Sequence, residues 1–112
     1  MPELIVVSGH SSHSYPQGTN LYFTLGAQPP RDPADTERVY RAIWSRVMET
    51  TLEMGGTISH HHGVGKFRTP WMPAEMGTSY ALLQTLKHAL DPDGLMNPGT
   101  LLPLSGREPP RP

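Results

Sequence analysis

Two short apolar runs near the start of the chain predict β-strands. Residues 4–8 are rich in β-branched side chains, which is typical of a short buried strand. Residues 20–25 predict a second strand, which Pro29 and Pro30 bring to an end. The polar, turn-like residues 9–18 between them suit an antiparallel pair joined by a long loop.

The clearest helical pattern follows these strands. Asp32 is suited to the N-cap and Pro33 to the first helical position. Two sets of apolar residues then repeat four positions apart, which predicts one broad apolar stripe that packs on a sheet. The sets are Val39, Ile43 and Val47, and Tyr40, Trp44 and Met48. Gly55 and Gly56 are expected to end the helix.

A third β-prone segment and a second helix complete the pattern. Residues 57–59 predict a short strand, and a second helix is expected to start near Pro73, with Glu75 in its first turn, and to stop at Asp91. The apolar positions of that helix are Tyr80, Leu83, Leu86 and Leu90. The order strand, strand, helix, short strand, helix is typical of the α+β class.

This set of elements looks incomplete for a folded domain. Two or three strands are few to cover the stripe of the first helix, and the sequence opens directly with a strand. We therefore expect another segment to supply part of the fold. Tyr22, Phe23 and Trp44 are interpreted as core residues. Residues 93–94 and 97–99 predict turns after the second helix.

The composition allows a hydrophobic core and excludes several classes of function. Hydrophobic residues make up 36% of the 112 residues, charged residues make up 17%, and the net charge is −1. A nearly neutral chain lacks the basic surface of a nucleic-acid-binding module. No apolar run approaches the roughly 18 residues of a transmembrane helix. The absence of cysteine excludes disulfides, cysteine-ligated zinc, iron–sulfur clusters and thiol catalysis.

Proline and glycine are abundant, with 13 and 11 residues respectively. Residues 103–112 hold four of the prolines and almost no apolar side chains, which predicts a disordered tail. Residues 1–102 then form a single domain.

Three consecutive histidines, His60, His61 and His62, are the most unusual local feature. In an extended backbone, His60 and His62 would point to one face and His61 to the other. Imidazole titrates near neutral pH, which suits acid–base catalysis. Two other interpretations stay open. The triplet could supply zinc ligands together with His10 or His13, or its members could only pack and hydrogen-bond within the loop.

The Gly-Val-Gly-Lys stretch at residues 63–66 does not form a phosphate-binding P-loop. That motif needs a glycine where His60 stands and Ser or Thr where Phe67 stands. The glycines could still let backbone amides approach an anion, with Lys66 and Arg68 adding positive charge. The alternative is that these two residues are solvated loop charges.

Tyr15 lies beside His13 in the predicted loop between the first strands. A loop tyrosine next to a histidine is a candidate proton donor or acceptor. From the residues alone, a half-buried amphipathic tyrosine without a catalytic role is the favoured interpretation.

Three segments together resemble a known enzyme family. Residues 55–66, which carry the three histidines, resemble the histidine-triplet motif of alkyldihydroxyacetonephosphate synthases (alkylglycerone-phosphate synthases). Residues 91–99 resemble the C-terminal signature of the wider FAD-linked oxidase family of the vanillyl-alcohol-oxidase type. Residues 12–15, followed by residues 21–23, resemble the segment that carries the catalytic tyrosine of the synthases. The order and spacing of the three segments agree, and the resemblance covers about residues 4–102.

The resemblance implies a fold and a set of site residues. The fold would be α+β, a partial ferredoxin-like cap subdomain with antiparallel strands packed by two helices, incomplete without an upstream segment. The implied catalytic residues are Tyr15, His60, His61 and His62. The implied cofactor-binding residues, which would contact FAD, are His61, His62, Asn97 and Gly99. The implied substrate-binding residues are Lys66 and Arg68. No metal site is implied.

The resemblance also implies a reaction. In the synthases, FAD adds through its N5 to a glycerone-phosphate ester, and a fatty alcohol then replaces the acyl group to give an ether lipid precursor without net redox change. The alternative within the family is an FAD-dependent oxidoreductase of 2-hydroxy acids, in which the flavin accepts a hydride. Such members usually carry a single histidine after an acidic residue. A histidine-rich metal-binding module and an inert gene fragment are the remaining alternatives.

The resemblance further implies that these residues do not act alone. No glycine-rich dinucleotide fingerprint occurs in the sequence. The FAD-binding domain is therefore expected from upstream in the same gene or from a partner chain, and the isolated chain is expected to be inactive. We expect a small-molecule or lipid substrate, a homodimer when complete, no nucleic acid and no transmembrane segment. The expected location is cytoplasmic, with peripheral contact with a membrane left open.

Overall fold

The computed structural model describes residues 4–28 and 30–103 and divides the chain into two units. The first unit is Met1–Ile43 and the second is Trp44–Pro112, and each is described by itself. In chain order the elements are β1 (Leu4–Tyr15), β2 (Gly18–Ala27), α1 (Pro33–Glu53), α2 (Gly65–Arg68), a 3-10 turn (Thr69–Trp71), α3 (Met72–Met76) and α4 (Ser79–Leu90). An antiparallel sheet together with helices confirms the predicted α+β class.

The first unit is built on a two-stranded antiparallel hairpin. The strands pair from Leu4 opposite Ala27 down to Tyr15 opposite Gly18, so that the connection is a tight turn at residues 16–17. The predicted long loop over residues 9–18 is therefore wrong. Its serines and histidines lie on an exposed ladder, where polar side chains can extend a strand because they remain in solvent.

The hairpin side chains are far more exposed than the sequence pattern predicts. Ile5 is 64% exposed and Val7 is 58% exposed, so the expected buried strand is wrong. Tyr22 and Phe23, which were expected in the core, are 40% and 54% exposed. The physical reason is that a hairpin of two strands has no second layer of its own to bury an apolar face.

Helix α1 begins as its sequence predicts. The backbone amide of Ala34 donates to Oδ1 of Asp32 at 2.9 Å, which confirms the N-cap, and Pro33 is the first helical residue. The stripe is narrower than predicted, because Tyr40 is 50% exposed. Its remaining members are buried or half-buried: Val39, Ile43, Trp44, Val47 and Met48. The helix ends at Glu53, and Gly55 follows with a φ of 73°, as expected for a glycine at a helix C-terminus.

The core of the second unit forms around Met48, Ile58 and Met72. Side chains from α1, the loop before α2, the 3-10 turn, α3 and α4 pack against these residues: Trp44, Val47, Leu52, Val64, Trp71, Met76 and Tyr80. The predicted strand at residues 57–59 is wrong, since this segment is a loop. Ile58 is nevertheless only 5% exposed, because burial of its side chain needs no strand pairing.

The predicted second helix is interrupted. The chain bends at Gly77, whose φ of 52° and ψ of −128° lie outside the helical region, so α3 and α4 are separate helices. Leu86 and Leu90 are 50% and 84% exposed. Both predicted turns are present, with the Gly94 amide donating to the Asp91 carbonyl at 3.1 Å and the Thr100 amide to the Asn97 carbonyl at 3.1 Å.

The predicted disordered tail lies outside the described residues beyond Pro103. Within residues 4–28 and 30–103, no helix combines the length and the apolar character that crossing a membrane requires.

Candidate functional site

The three adjacent histidines form an exposed cluster in a loop of the second unit. The ring centroids of His60 and His61 are 4.5 Å apart, those of His61 and His62 are 4.4 Å apart, and both pairs are nearly perpendicular. The alternation expected for an extended backbone is wrong, because the loop bends and brings consecutive rings into contact. The Nδ1 atoms of His60 and His61 lie 2.5 Å apart, so one nitrogen donates a proton to the other.

The end of this loop is closed by hydrogen bonds to one carbonyl group. The Ser59 hydroxyl donates to the Gly63 carbonyl oxygen at 2.8 Å, across the three histidines. Gly63 has a φ of 77° and Gly65 a φ of 58°, which are left-handed conformations that glycine adopts without strain. We call residues 59–63 the histidine loop.

Arg68 contacts both the histidine loop and Trp44 of α1. Its Nη1 donates to the same Gly63 carbonyl oxygen at 2.8 Å. Its guanidinium carbon lies 5.3 Å from the ring centroid of Trp44, which is a cation–π contact, and the Phe67 ring contacts Trp44 at 5.8 Å. Lys66, the other predicted substrate-binding residue, is exposed on α2.

Glu75 anchors the start of the histidine loop, and sequence reasoning placed it only in a helical turn. Its Oε1 accepts a hydrogen bond from the Thr57 hydroxyl, and its Oε2 accepts one from the Ile58 amide at 3.3 Å. The buried Ile58 side chain adds a hydrophobic anchor. The only signal in the sequence is a carboxylate in a short helix after the loop, which does not specify its partners.

Tyr15 lies in the hairpin of the first unit and is 48% exposed. Its ring is stacked on that of His13, with centroids 6.3 Å apart and planes 6° from parallel. The predicted neighbourhood of these two side chains is therefore present. The ladder is irregular between Ser11 and Ser14, which places His13 in a bulge.

Two side chains of β2 replace the missing ladder contacts of this bulge. Oδ1 of Asn20 accepts a hydrogen bond from the His13 amide at 2.8 Å, and the Thr19 hydroxyl donates to the His13 carbonyl at 2.7 Å. The Ser12 hydroxyl contacts Nδ1 of His13 at 2.9 Å. Both the amide and the carbonyl of His13 are thus hydrogen-bonded to side chains of β2, which fixes the backbone that leads to Tyr15.

Asn97 and Gly99 lie in the turn after α4. Asn97 has a φ of 46°, a left-handed conformation that asparagine tolerates better than most residues. The Thr69 hydroxyl donates to the Gly65 carbonyl at 2.8 Å and reaches the Gly99 carbonyl at 3.5 Å. Thr69 is only 4% exposed, so a buried hydroxyl links this turn to the helix that follows the histidine loop.

The carboxylate of Asp91 holds the segment that leads into this turn. Its two oxygens accept hydrogen bonds from the amides of Leu95 and Met96, both at 2.9 Å, and the Lys87 ammonium pairs with it. The hydrogen bond from Lys87, then that from the Met96 amide, hold the pKa of Asp91 below its usual value.

The second unit therefore brings together most of the predicted site residues. The histidine triplet, Gly63 and Arg68 form one connected group, and Thr69 joins it to Gly99. Lys66 lies on the same short helix as Arg68. Chemically, this group offers imidazole nitrogens for proton transfer and cationic side chains for an anionic substrate group.

Comparison with known proteins agrees with the motifs. The family model described as "FAD linked oxidases, C-terminal domain" matches residues 3–101. A protein named "Uncharacterized FAD-linked oxidoreductase YgcU", from Escherichia coli (strain K12), is 38% identical over 104 residues, which are 91% of this chain and 22% of that protein. The alkyldihydroxyacetonephosphate synthase of Trypanosoma brucei brucei is 36% identical over 96 residues, 84% of this chain and 15% of the synthase.

A third relative carries a different name. The glycolate oxidase subunit GlcD of Bacillus subtilis (strain 168) is 32% identical over 79 residues, 70% of this chain and 17% of that subunit. No solved structure gives a significant match. The chain thus spans less than a quarter of the length of these three relatives.

Proposed function

Because this chain belongs to the family of C-terminal domains of FAD-linked oxidases, we propose that it forms the active-site side of a larger FAD-dependent enzyme. The proposed chemistry is that of an alkyldihydroxyacetonephosphate synthase, acting on a glycerone-phosphate ester in ether lipid synthesis. The observation that carries the proposal is the cluster of three exposed imidazoles in a loop that is anchored at both ends. Synthases of that name match 84% of the chain in one organism and 87% in another.

The residues of the second unit fit a flavin in their chemistry. Exposed imidazoles at His61 and His62 can donate to or accept from the polar edge of an isoalloxazine ring. The turn at Asn97 and Gly99 offers backbone groups and a side-chain amide beside the same group of residues. When bound, FAD would supply an electrophilic ring that accepts electrons from the substrate.

The proton transfers are assigned to residues of this chain. The Nδ1 atoms of His60 and His61 are within hydrogen-bond distance, so a proton accepted at one ring can be passed to the other without passing through solvent. Tyr15, through its phenol oxygen, is the proposed proton donor or acceptor at the substrate, beside the stacked ring of His13. The exposed ammonium of Lys66 is proposed to bind the phosphate of the substrate.

A second candidate function is an FAD-dependent oxidoreductase of 2-hydroxy acids. The match to a protein named as a glycolate oxidase subunit, at 32% identity over 70% of the chain, is the observation that favours it. The two functions differ in electron balance. A 2-hydroxy acid would leave two electrons on the flavin, whereas the synthase reaction leaves none.

The rest of the flavin site is proposed to come from outside these 112 residues. The chain covers only 22% of the length of the FAD-linked oxidoreductase that it matches over 91% of its own length. A segment of the same polypeptide or a partner chain would then hold the pyrophosphate of FAD, and the 112 residues alone would be inactive.

Flavin absorbance between 350 and 500 nm tests this proposal. The purified chain is mixed with FAD, alone and together with any flavin-binding segment encoded beside it, and then desalted. The proposal expects retained flavin only in the combined sample. That sample is next mixed with glycolate or lactate, and separately with an acyl ester of dihydroxyacetone phosphate and a fatty alcohol. Bleaching by the acids favours the oxidoreductase, and ether formation without bleaching favours the synthase. No retained flavin in either sample would contradict the proposal and favour a metal-binding module or an inert fragment.

A further inference from the structure

We infer that Arg68 is a positioning residue, which fixes the histidine loop through Gly63, and that it does not bind the phosphate of the substrate. The inference rests on the proposed function for the part that the histidines play in catalysis. It separates the roles of Arg68 and Lys66, which the sequence pattern treats as one pair of cations.

The Gly63 carbonyl oxygen is the point at which Arg68 contacts the histidine loop. This oxygen accepts from the Ser59 hydroxyl and from Nη1 of Arg68, each at 2.8 Å, so both of its lone pairs are used. The Ser59 contact closes the histidine loop on itself, and the Arg68 contact ties the closed loop to α2. Gly63 has a left-handed φ of 77°, so the two contacts hold the end of the histidine loop in a conformation that glycine adopts without strain.

Part of the Arg68 guanidinium group is turned away from solvent: it lies near the Trp44 ring, and its Nε is buried. The guanidinium carbon lies 5.3 Å from the Trp44 ring centroid, and Trp44 itself packs against the core of the second unit. Nε of Arg68 is buried and, among the residues that the structure describes, has no hydrogen-bond partner. An anion in solvent cannot reach this nitrogen, so the side-on pair of Nε and Nη, one of the two ways in which a guanidinium holds a phosphate by two hydrogen bonds, is not accessible to it.

Lys66, two positions earlier on the same short helix, has different surroundings from Arg68. Lys66 is exposed, and its ammonium group forms no hydrogen bond or ion pair with the residues that the structure describes. An exposed ammonium on a flexible side chain can follow and bind an anion in solvent, whereas a planar guanidinium held by protein contacts is better suited to fixing a loop in place. The two cations therefore have different uses in one four-residue helix.

The test compares Arg68→Lys and Arg68→Gln with Arg46→Gln, a control at an exposed arginine of α1. The ring resonances of His60, His61 and His62 are measured by NMR in the 112-residue chain. Both Arg68 variants are expected to move all three histidine signals and the Trp44 ring signal, because a lysine restores the charge but not the planar stack or the hydrogen bond. The control should leave them in place. The amide signals of Leu95 and Met96, which Asp91 holds, report whether each variant is folded.

Two results would overturn the inference. If Arg68→Lys leaves the histidine signals at their wild-type positions, the loop does not depend on the guanidinium. If both Arg68 variants also lose the Leu95 and Met96 signals, Arg68 is a residue of general folding and not one that positions the loop.

Kinetics of the flavin-loaded assembly give the second readout. A positioning role predicts that kcat falls by about tenfold to 100-fold in both Arg68 variants, while KM stays within about twofold. A role in phosphate binding predicts a raised KM, largely restored by Arg68→Lys, and would contradict the inference. If the assembly retains no flavin, the proposed function fails, but the NMR comparison still decides whether Arg68 orders the loop.

Discussion

Lys87 and Asp91, one helical turn apart at the end of α4, form an ion pair. The Asp91 carboxylate also accepts hydrogen bonds from the backbone amides of the two residues that precede Asn97. The Asp91 side chain is only 9% exposed. A helix C-terminus and the following turn are thus joined by one acidic residue, and that turn carries Asn97 and Gly99 of the candidate site.

The depressed pKa of Asp91 predicts a loss of stability in acid. Its charged form is favoured in the folded chain, so the stabilisation is complete above the ordinary aspartate pKa of about 3.9 and is lost as the pH falls toward the lower folded value. Asp91→Asn should lower the thermal midpoint at neutral pH and flatten its decline below about pH 4. Circular dichroism melts at a series of pH values measure this, and Asp93→Asn in the neighbouring turn is the control. Identical melts for wild type and Asp91→Asn across the series would refute it.

The core of the second unit predicts a large effect at Ile58. This side chain is 5% exposed among Met48 and Met72, so Ile58→Ala should lower the free energy of unfolding by about 2–5 kcal/mol. Met54→Ala removes an 82% exposed side chain and should change it by less than about 0.5 kcal/mol. Urea titrations followed by circular dichroism give both values. Equal effects of the two substitutions would show that Ile58 is not in the core.

Glu75 is predicted to hold the start of the histidine loop. Glu75→Leu removes the acceptors of the Thr57 hydroxyl and the Ile58 amide and should cost about 1–3 kcal/mol. Glu75→Gln keeps one oxygen acceptor and should cost less. Hydrogen exchange at the Ile58 amide is the direct measurement, and it should speed up most in the leucine variant. Unchanged exchange in that variant would mean that the loop is held by other contacts.

Local features of the fold could be read from the sequence, and long-range ones could not. The Asp32 cap, Pro33 and the glycines after α1 act on residues next to them in the chain, so the start and the end of α1 could be predicted from a few adjacent residues. The contact of Glu75 with Ile58 joins positions 17 residues apart and has no periodic pattern to reveal it. The prediction that Phe23 is buried was wrong for a related reason: an apolar side chain on a strand is buried only if another layer covers it.

The candidate site shows the same division. The histidine triplet and its glycines could be recognised in the sequence because they are consecutive. The contact of the Arg68 guanidinium with Trp44 could not, because Trp44 lies 24 positions earlier on another helix. For the same reason, the sequence did not reveal that the side chains of Thr19 and Asn20 hydrogen-bond to the backbone of His13 in the bulge.

Tyr15→Phe is predicted to lower turnover of the flavin-loaded assembly by about 100-fold or more while leaving the thermal midpoint within about a degree. Only a hydroxyl is removed, from a side chain that is 48% exposed. Tyr40→Phe, at a tyrosine of α1 that is 50% exposed, is the matched control for the loss of a phenol. A midpoint that falls by many degrees in Tyr15→Phe would make this residue structural.

We propose that the histidine loop carries out proton transfer beside a bound flavin, and His61 lies at the centre of that loop in contact with both neighbouring rings. The most direct measurement is turnover and flavin content of His61→Ala in the flavin-loaded assembly, next to His88→Ala, which removes an exposed histidine of α4. We predict that His61→Ala retains the flavin absorbance but loses turnover by about 100-fold or more, while His88→Ala keeps both. Equal turnover in the two variants would contradict the assignment of acid–base chemistry to this loop.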